Sequence, residues 1–309
     1  MQELMRAASR NQTTAKELQK VLKWAKNLQE LREDKAPNLK QGERALAALY
    51  KEMRLTNITP ILPLILRLDG KPYTLKNHFT MEPLFRVNDI PKRTIFKCGR
   101  QVSTSCSLSA QGILQSRVIP YFRTLFVTPL KEQAQRLSNN YIRRFINESP
   151  IRNDLINGSC DMSVFQKTFV NGSMIQFSYC YTDVDRIRGI FCDKITVDEL
   201  QSIDPLFLPV IQRCMDASKW GIEQYSGTPL TMDNTIELVW QQSSQAEWHI
   251  KCEACKHVNI SCMEHDMLKM IGKNTLVCAK CENPLNARTG WWEHRFPERK
   301  NYFSGYHVP

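Results

Sequence analysis

The sequence predicts an α/β fold, with a parallel central sheet flanked by helices, a helical N-terminal arm before it and a small module of paired cysteines after it. Three observations predict this. Between residues 80 and 240 short β-rich runs alternate with helical ones. Before residue 80 apolar residues recur at helical spacing. From Trp248 the composition shifts to cysteine, histidine and lysine.

In the arm, Ala15, Leu18, Leu22, Ala25 and Leu28 recur with Lys and Glu between them, which predicts an amphipathic helix over 13–31. A second helix is expected over 41–54, after the break at Ala36-Pro37-Asn38, and a segment spaced by Pro60 and Pro63 follows. Residues 1–80 therefore read as a helical arm that packs on the next domain, with partner binding as the alternative. That domain, 81–247, has strand-like runs at 94–97, 123–127, 174–178, 194–197 and 221–225. Helices are expected over 107–119 and 130–146, the second with Ala134, Leu137, Tyr141, Phe145 and Ile146 on one side.

A chain of 309 residues can bury a core without covalent staples. Its net charge of +11 favours a polyanionic partner, because clustered Lys and Arg lower the cost of approaching phosphates. Eleven cysteines, an odd number, in a chain of this size that opens without a signal peptide point to a reducing compartment rather than a disulfide framework. No apolar run approaches the roughly 18 to 20 residues of a membrane span, so no membrane role is expected.

The chemistry concentrates in three places. The segment Lys97-Cys98-Gly99-Arg100-Gln101-Val102-Ser103-Thr104-Ser105 joins the run Thr94-Ile95-Phe96 to a helix start. A strand, a turn of small residues and a helix N-terminus aim free N–H groups and the helix dipole at one point, so a triphosphate is expected there. A P-loop ends in Gly-Lys-Ser/Thr, whereas this segment has Ser103 and Thr104 in the Gly and Lys places. Ser105 is placed to offer its hydroxyl to Mg²⁺, and either Lys97 or Arg100 must supply the missing positive charge.

About ninety residues on, Lys194-Ile195-Thr196-Val197 ends in Asp198-Glu199 at the expected carboxyl edge of the sheet. Asp198 is expected to hold Mg²⁺ and Glu199 to orient and deprotonate an attacking water. A further β run ends in Tyr225-Ser226-Gly227-Thr228-Pro229, a loop suited to sensing a γ-phosphate, with Thr228 in contact with nucleotide. Arg188, or its neighbour Arg186, could reach the triphosphate just ahead of the acidic strand.

Cys252-Glu253-Ala254-Cys255 and Cys278-Ala279-Lys280-Cys281 are two C-x₂-C pairs separated by 22 residues, close to the spacing of four-thiolate zinc sites. Residues 248–289 thus read as a zinc-binding insertion, structural in role, with His257 and Cys262 as substitutes for a missing ligand. Lys251, Lys256 and Lys280 could touch DNA, and Cys98, Cys106, Cys160, Cys180, Cys192 and Cys214 read as core.

Over residues 80–309 the chain resembles the large terminase subunit of tailed bacteriophages. The resemblance is carried by Gly99-Arg100-Gln101, Asp198-Glu199, Ser226-Gly227-Thr228-Pro229, the paired cysteines, Thr289-Gly290-Trp291-Trp292 and Phe303-Ser304-Gly305-Tyr306-His307-Val308. It implies a RecA-like P-loop ATPase that uses ATP and Mg²⁺ to pump viral double-stranded DNA into a capsid. It also implies a homo-oligomeric ring, a capsid portal and a small terminase subunit as partners, and the host cell cytoplasm during viral assembly as the place. In that family a nuclease domain follows, so 290–309 reads as a linker toward it and the chain as a motor fragment, without nuclease residues. Two other readings are a helicase-like ATPase and a non-hydrolysing zinc-containing DNA-binding protein on a decayed ATPase fold.

Overall fold

The computed structural model describes residues 58–59, 62–86 and 91–309, so the helices expected over 13–31 and 41–54 lie outside the described residues. Among the described residues the central sheet has ten strands. In chain order they are β1 (Arg93–Cys98), β2 (Arg123–Thr128), β3 (Gln166–Thr168), β4 (Met174–Tyr179), β5 (Lys194–Val197), β6 (Ile222–Gly227), β7 (Ala246–Lys251), β8 (Val258–Ile260), β9 (Trp291–His294) and β10 (Phe303–Val308). Their order across the sheet is β8-β7-β10-β1-β6-β5-β2-β4-β3, with β9 also paired to β7. From β10 to β4 every pairing is parallel.

Parallel strands covered on both faces lack polar/apolar alternation. All four residues of β5 are accordingly buried. Ile95, Leu125, Val127, Ile195, Val197 and Tyr225 fill the core on one face. Phe96, Phe126, Ile175 and Phe177 point into the other.

On that second face lies α1 (Thr104–Val118), where a Cβ added at Gly112 would meet the Phe126 ring at 3.3 Å. Buried residues run around most of its circumference, so it offers little amphipathic signal. Its start at Thr104 is three residues earlier than the expected 107. The expected 130–146 helix is continuous from Lys131–Arg136 into Arg143–Glu148 through a π-helical turn at Leu137–Ile142, together α2. Leu62, Leu66, Tyr73, Met81 and Phe85, from the segment ahead of β1, are buried in the same core.

The linker reading of 290–309 needs correction, because β9 and β10 belong to the sheet. Phe303 to Val308 pair in register with Arg93 to Cys98. Five of the six β10 residues are buried, and an aromatic stack of Phe96 on Tyr306, ring centroids 5.1 Å apart, ties the two strands. Gly305 is required here, since a Cβ would lie 2.1 Å from the Ser243 hydroxyl. Among the described residues no helix is long and apolar enough to cross a membrane.

Candidate active site

β1, β6 and β5 are parallel neighbours, and the residues that follow their carboxyl ends enclose a cavity of about 790 Å³. Open α/β sheets take their ligands at this edge. The cavity is lined by Gly99 to Cys106, by Asp198, Glu199, Gln201 and Ser202, and by Gly227, Thr228 and Leu230. Leu68, His78 and Tyr141 close it from the side.

The 99–103 turn is held at its base by β10, since the Gly99 N–H donates to the Val308 carbonyl at 2.7 Å. Gln101 and Ser103 both take left-handed φ, 63° and 67°. Left-handed residues placed alternately along a turn gather N–H groups into an anion-binding concavity. The first amides of α1, which have no partner inside the helix, extend that concavity.

Lys97 and Arg100 part company. On β1 the side chains alternate, so Lys97 falls on the face of Ile95, where its Nζ lies 3.0 Å from Glu237 and 4.7 Å from the Trp240 ring centroid. It does not line the cavity, whereas Arg100 does. Thr104, in the usual lysine place, has its hydroxyl buried beside the Cys98 thiol. Arg188 is exposed and paired with Asp185 at 3.0 Å, and Arg186 lies over the Tyr179 ring; neither lines the cavity.

Asp198 sits at the cavity floor, 6 % exposed. Ser105 donates to its Oδ2 at 2.5 Å, and Ser226 and the Glu199 N–H donate to its Oδ1 at 2.6 and 3.1 Å. Burial raises its carboxyl above the ordinary range, and the two serine hydroxyls, which favour the ionised form, oppose this. Glu199 is left-handed, φ 59° and ψ 42°, a conformation that costs an acidic residue about 1 kcal/mol or more. Gln201 donates to its carboxylate at 2.5 Å and accepts from the Thr228 N–H at 3.1 Å. Sequence reasoning missed Gln201, His78 and Tyr141 as site residues, and it placed Ser226 in the sensing loop without its bond to Asp198; these places depend on contacts far along the chain.

The four cysteines of the two C-x₂-C pairs converge, their sulfurs all within 4.8 Å of one another. Cys252 Sγ to Cys281 Sγ and Cys255 Sγ to Cys278 Sγ are both 3.6 Å. A disulfide needs about 2.0 Å, whereas the edge of a tetrahedron with Zn–S of about 2.3 Å is about 3.8 Å. The two pairs share one backbone design. Cys252 N donates to His257 O and Cys278 N to Asn283 O, both at 2.8 Å; Lys256 N donates to Cys252 O and Glu282 N to Cys278 O. Lys256 and Glu282, the equivalent residues, are both left-handed. His257 instead faces Asp266 at 3.5 Å, and Cys262 stands outside the cluster. Of the six cysteines read as core, five are buried and Cys160 is half-buried.

No family model and no curated protein matches the chain. Among solved structures it is similar to the large terminase ATPase domain of Thermus phage P74-26, at 12 % identity over 77 % of this chain and 81 % of that one, TM-score 0.47. It is similar to the HK97 bacteriophage large terminase at 12 % identity, over 60 % of this chain and 40 % of that one, TM-score 0.49. A third is the large terminase of a thermophilic bacteriophage in complex with ADP, at 12 % identity over 50 % of this chain and 38 % of that one, TM-score 0.37. The solved structures that the chain is similar to here are phage large terminases.

Proposed function

We propose that this chain is the ATPase motor of a large terminase, a RecA-like P-loop enzyme that hydrolyses ATP to move viral double-stranded DNA into a procapsid. The observation that carries the reading is the meeting of Ser105 and Asp198, 93 residues apart, under the N-terminus of α1 with Glu199 beside them. A hydroxyl on a phosphate-binding helix start and a carboxylate on a strand end form an oxygen donor pair suited to a hard cation. Ser105 and Asp198 would hold Mg²⁺ there, and the ion when bound neutralises charge on the transferring phosphoryl group.

The chain's own residues do the rest. The 99–103 turn and the first amides of α1 hold phosphate oxygens, and Arg100 adds the positive charge that Thr104 lacks. Glu199 orients a water and takes its proton. Thr228, on the turn after β6, reports the state of the phosphate end. The four thiolates hold one zinc ion in a closed site without an open position for chemistry, so its role is structural.

The DNA substrate, the ring of identical subunits, the portal, the small subunit and action in the host cytoplasm rest on the sequence resemblance and the net charge of +11. The non-hydrolysing reading has one observation in its favour, that no lysine lines the cavity among the described residues. Nucleotide binding by the Arg100→Ala and Lys97→Ala variants tests the assignment. Arg100→Ala should lose Mg-nucleotide binding and Lys97→Ala should keep it; equal binding by both would end the role given to Arg100.

A further inference from the structure

The end of β6 and the residue after it hold both carboxylates of the site. Ser226 takes Asp198 directly. Glu199 is reached through Gln201, whose side chain spans from the Glu199 carboxylate to the Thr228 backbone. We propose that Gln201 is a positioning residue for the hydrolysis assigned above, coupling the orientation of Glu199 to the position of Thr228 just past the end of β6. The proposal rests on that ATPase reading.

Chemistry fixes the direction of the Gln201 amide. An ionised carboxylate only accepts and a backbone N–H only donates, so one orientation alone satisfies both neighbours, with Nε2 toward Glu199 and Oε1 toward Thr228. The end of β6 is shaped for this bridge. A Cβ on Gly227 would lie 2.2 Å from Gln201 Oε1, 3.0 Å from the Leu200 nitrogen and 3.2 Å from Ile236. Gly227 has no positive φ, and a side chain there would have to push the Gln201 amide aside and press on the Leu200 nitrogen.

Glu199 itself is left-handed, so its carboxylate is aimed by a backbone that the 198–201 segment must hold. Gln201 opens the cavity wall on one side and touches the turn on the other. A displacement of Thr228 when phosphate arrives or leaves therefore pulls on Gln201 and re-aims the carboxylate that takes the water's proton. Ser226, inside β6, keeps Asp198 in place through a separate bond, so the two carboxylates respond differently to a movement of Thr228.

The test compares wild type, Gln201→Ala and Gln201→Glu in steady-state ATPase assays that separate kcat from KM, together with hydrogen exchange at the Thr228 amide without nucleotide. Gln201→Ala should lower kcat by about 10-fold or more with KM for ATP within about 3-fold, as expected for loss of aim rather than of binding. Gln201→Glu keeps the acceptor for Thr228 but replaces the donor to Glu199 with a second acceptor, so kcat should fall here too, by about 10-fold or more with KM within about 3-fold. Thr228 should exchange faster in Gln201→Ala and be unchanged in Gln201→Glu. Wild-type kcat in both variants would overturn the positioning role. Unchanged Thr228 exchange in Gln201→Ala would overturn the bridge, and this readout needs no turnover. A wild type without turnover would instead overturn the ATPase reading, and the positioning role would fall with it.

Discussion

Ser105 and Asp198 form a hydrogen bond of 2.5 Å that joins the start of α1 to the end of β5 at the cavity floor. Removing the Ser105 hydroxyl deprives a buried carboxylate of one of its three donors. Ser105→Ala should weaken Mg-nucleotide binding by about 10-fold or more and cost about 1–3 kcal/mol of stability. Nucleotide titration and denaturant melts measure the two effects separately. Unaltered binding would show that Ser105 is outside the metal and phosphate site.

Asp198 has a folded-state pKa raised by burial. The folded chain then holds this proton more tightly than the unfolded chain. The associated stability is present below the unfolded pKa and lost as pH rises through the folded one. At neutral pH the ionised carboxylate thus costs stability, which the site retains for function. Asp198→Asn should abolish Mg-dependent turnover while leaving the nucleotide-free melting temperature unchanged or a few degrees higher. A melting temperature about 10 °C lower would contradict this, since it would mean the charged form supports the fold.

Lys194 is sealed inside β5, 1 % exposed, its Nζ bonded to the Gln111 and Gln115 side-chain oxygens of α1 at 2.8 Å each. Burial lowers its pKa to about 7. Because the unfolded chain binds this proton up to about pH 10.4, stability must rise with pH above about 7. Between pH 7 and 9 the gain should be about 2 kcal/mol by urea denaturation. Lys194→Met should flatten that slope whatever it does to the absolute stability, and a slope identical to wild type would remove the effect from Lys194.

The cysteine cluster should hold one zinc per chain, measurable by metal analysis. Cys278→Ser should release it and destabilise residues 246–294 while nucleotide binding stays within about 3-fold. The left-handed Lys256 and Glu282 add a finer check. Replacing either with glycine should raise stability by about 0.5–1 kcal/mol, since glycine takes positive φ without steric cost. Loss of stability in both would mean their side chains matter more than their backbone.

The parts of the fold legible in the sequence were those with local signatures. Lys194 to Val197 read as a strand because a short β-branched run carries its own propensity, and the structure has those bounds. β10 was not legible, since Phe303-Ser304-Gly305-Tyr306 is buried without alternation and is a strand only because β1 lies beside it. The start of α1 was hidden by small polar residues that also suit a turn. At the site, Asp198, Glu199 and Ser105 could be named from residue type at a strand end and a helix start. The choice between Lys97 and Arg100 required the phase of β1, which turns Lys97 toward Glu237. Gln201 gave no signal, because its role exists only where the turn after β6 meets the segment after β5.

The most direct test of the central claim is steady-state Mg-ATPase activity of the wild type against Glu199→Gln, with double-stranded DNA present. The substitution removes the carboxylate that takes the proton and keeps its shape. Wild type should turn over ATP, and Glu199→Gln should bind it with similar affinity but hydrolyse it at least about 100-fold more slowly, the usual scale of general-base loss. Wild-type turnover no greater than that of Glu199→Gln would contradict the motor assignment.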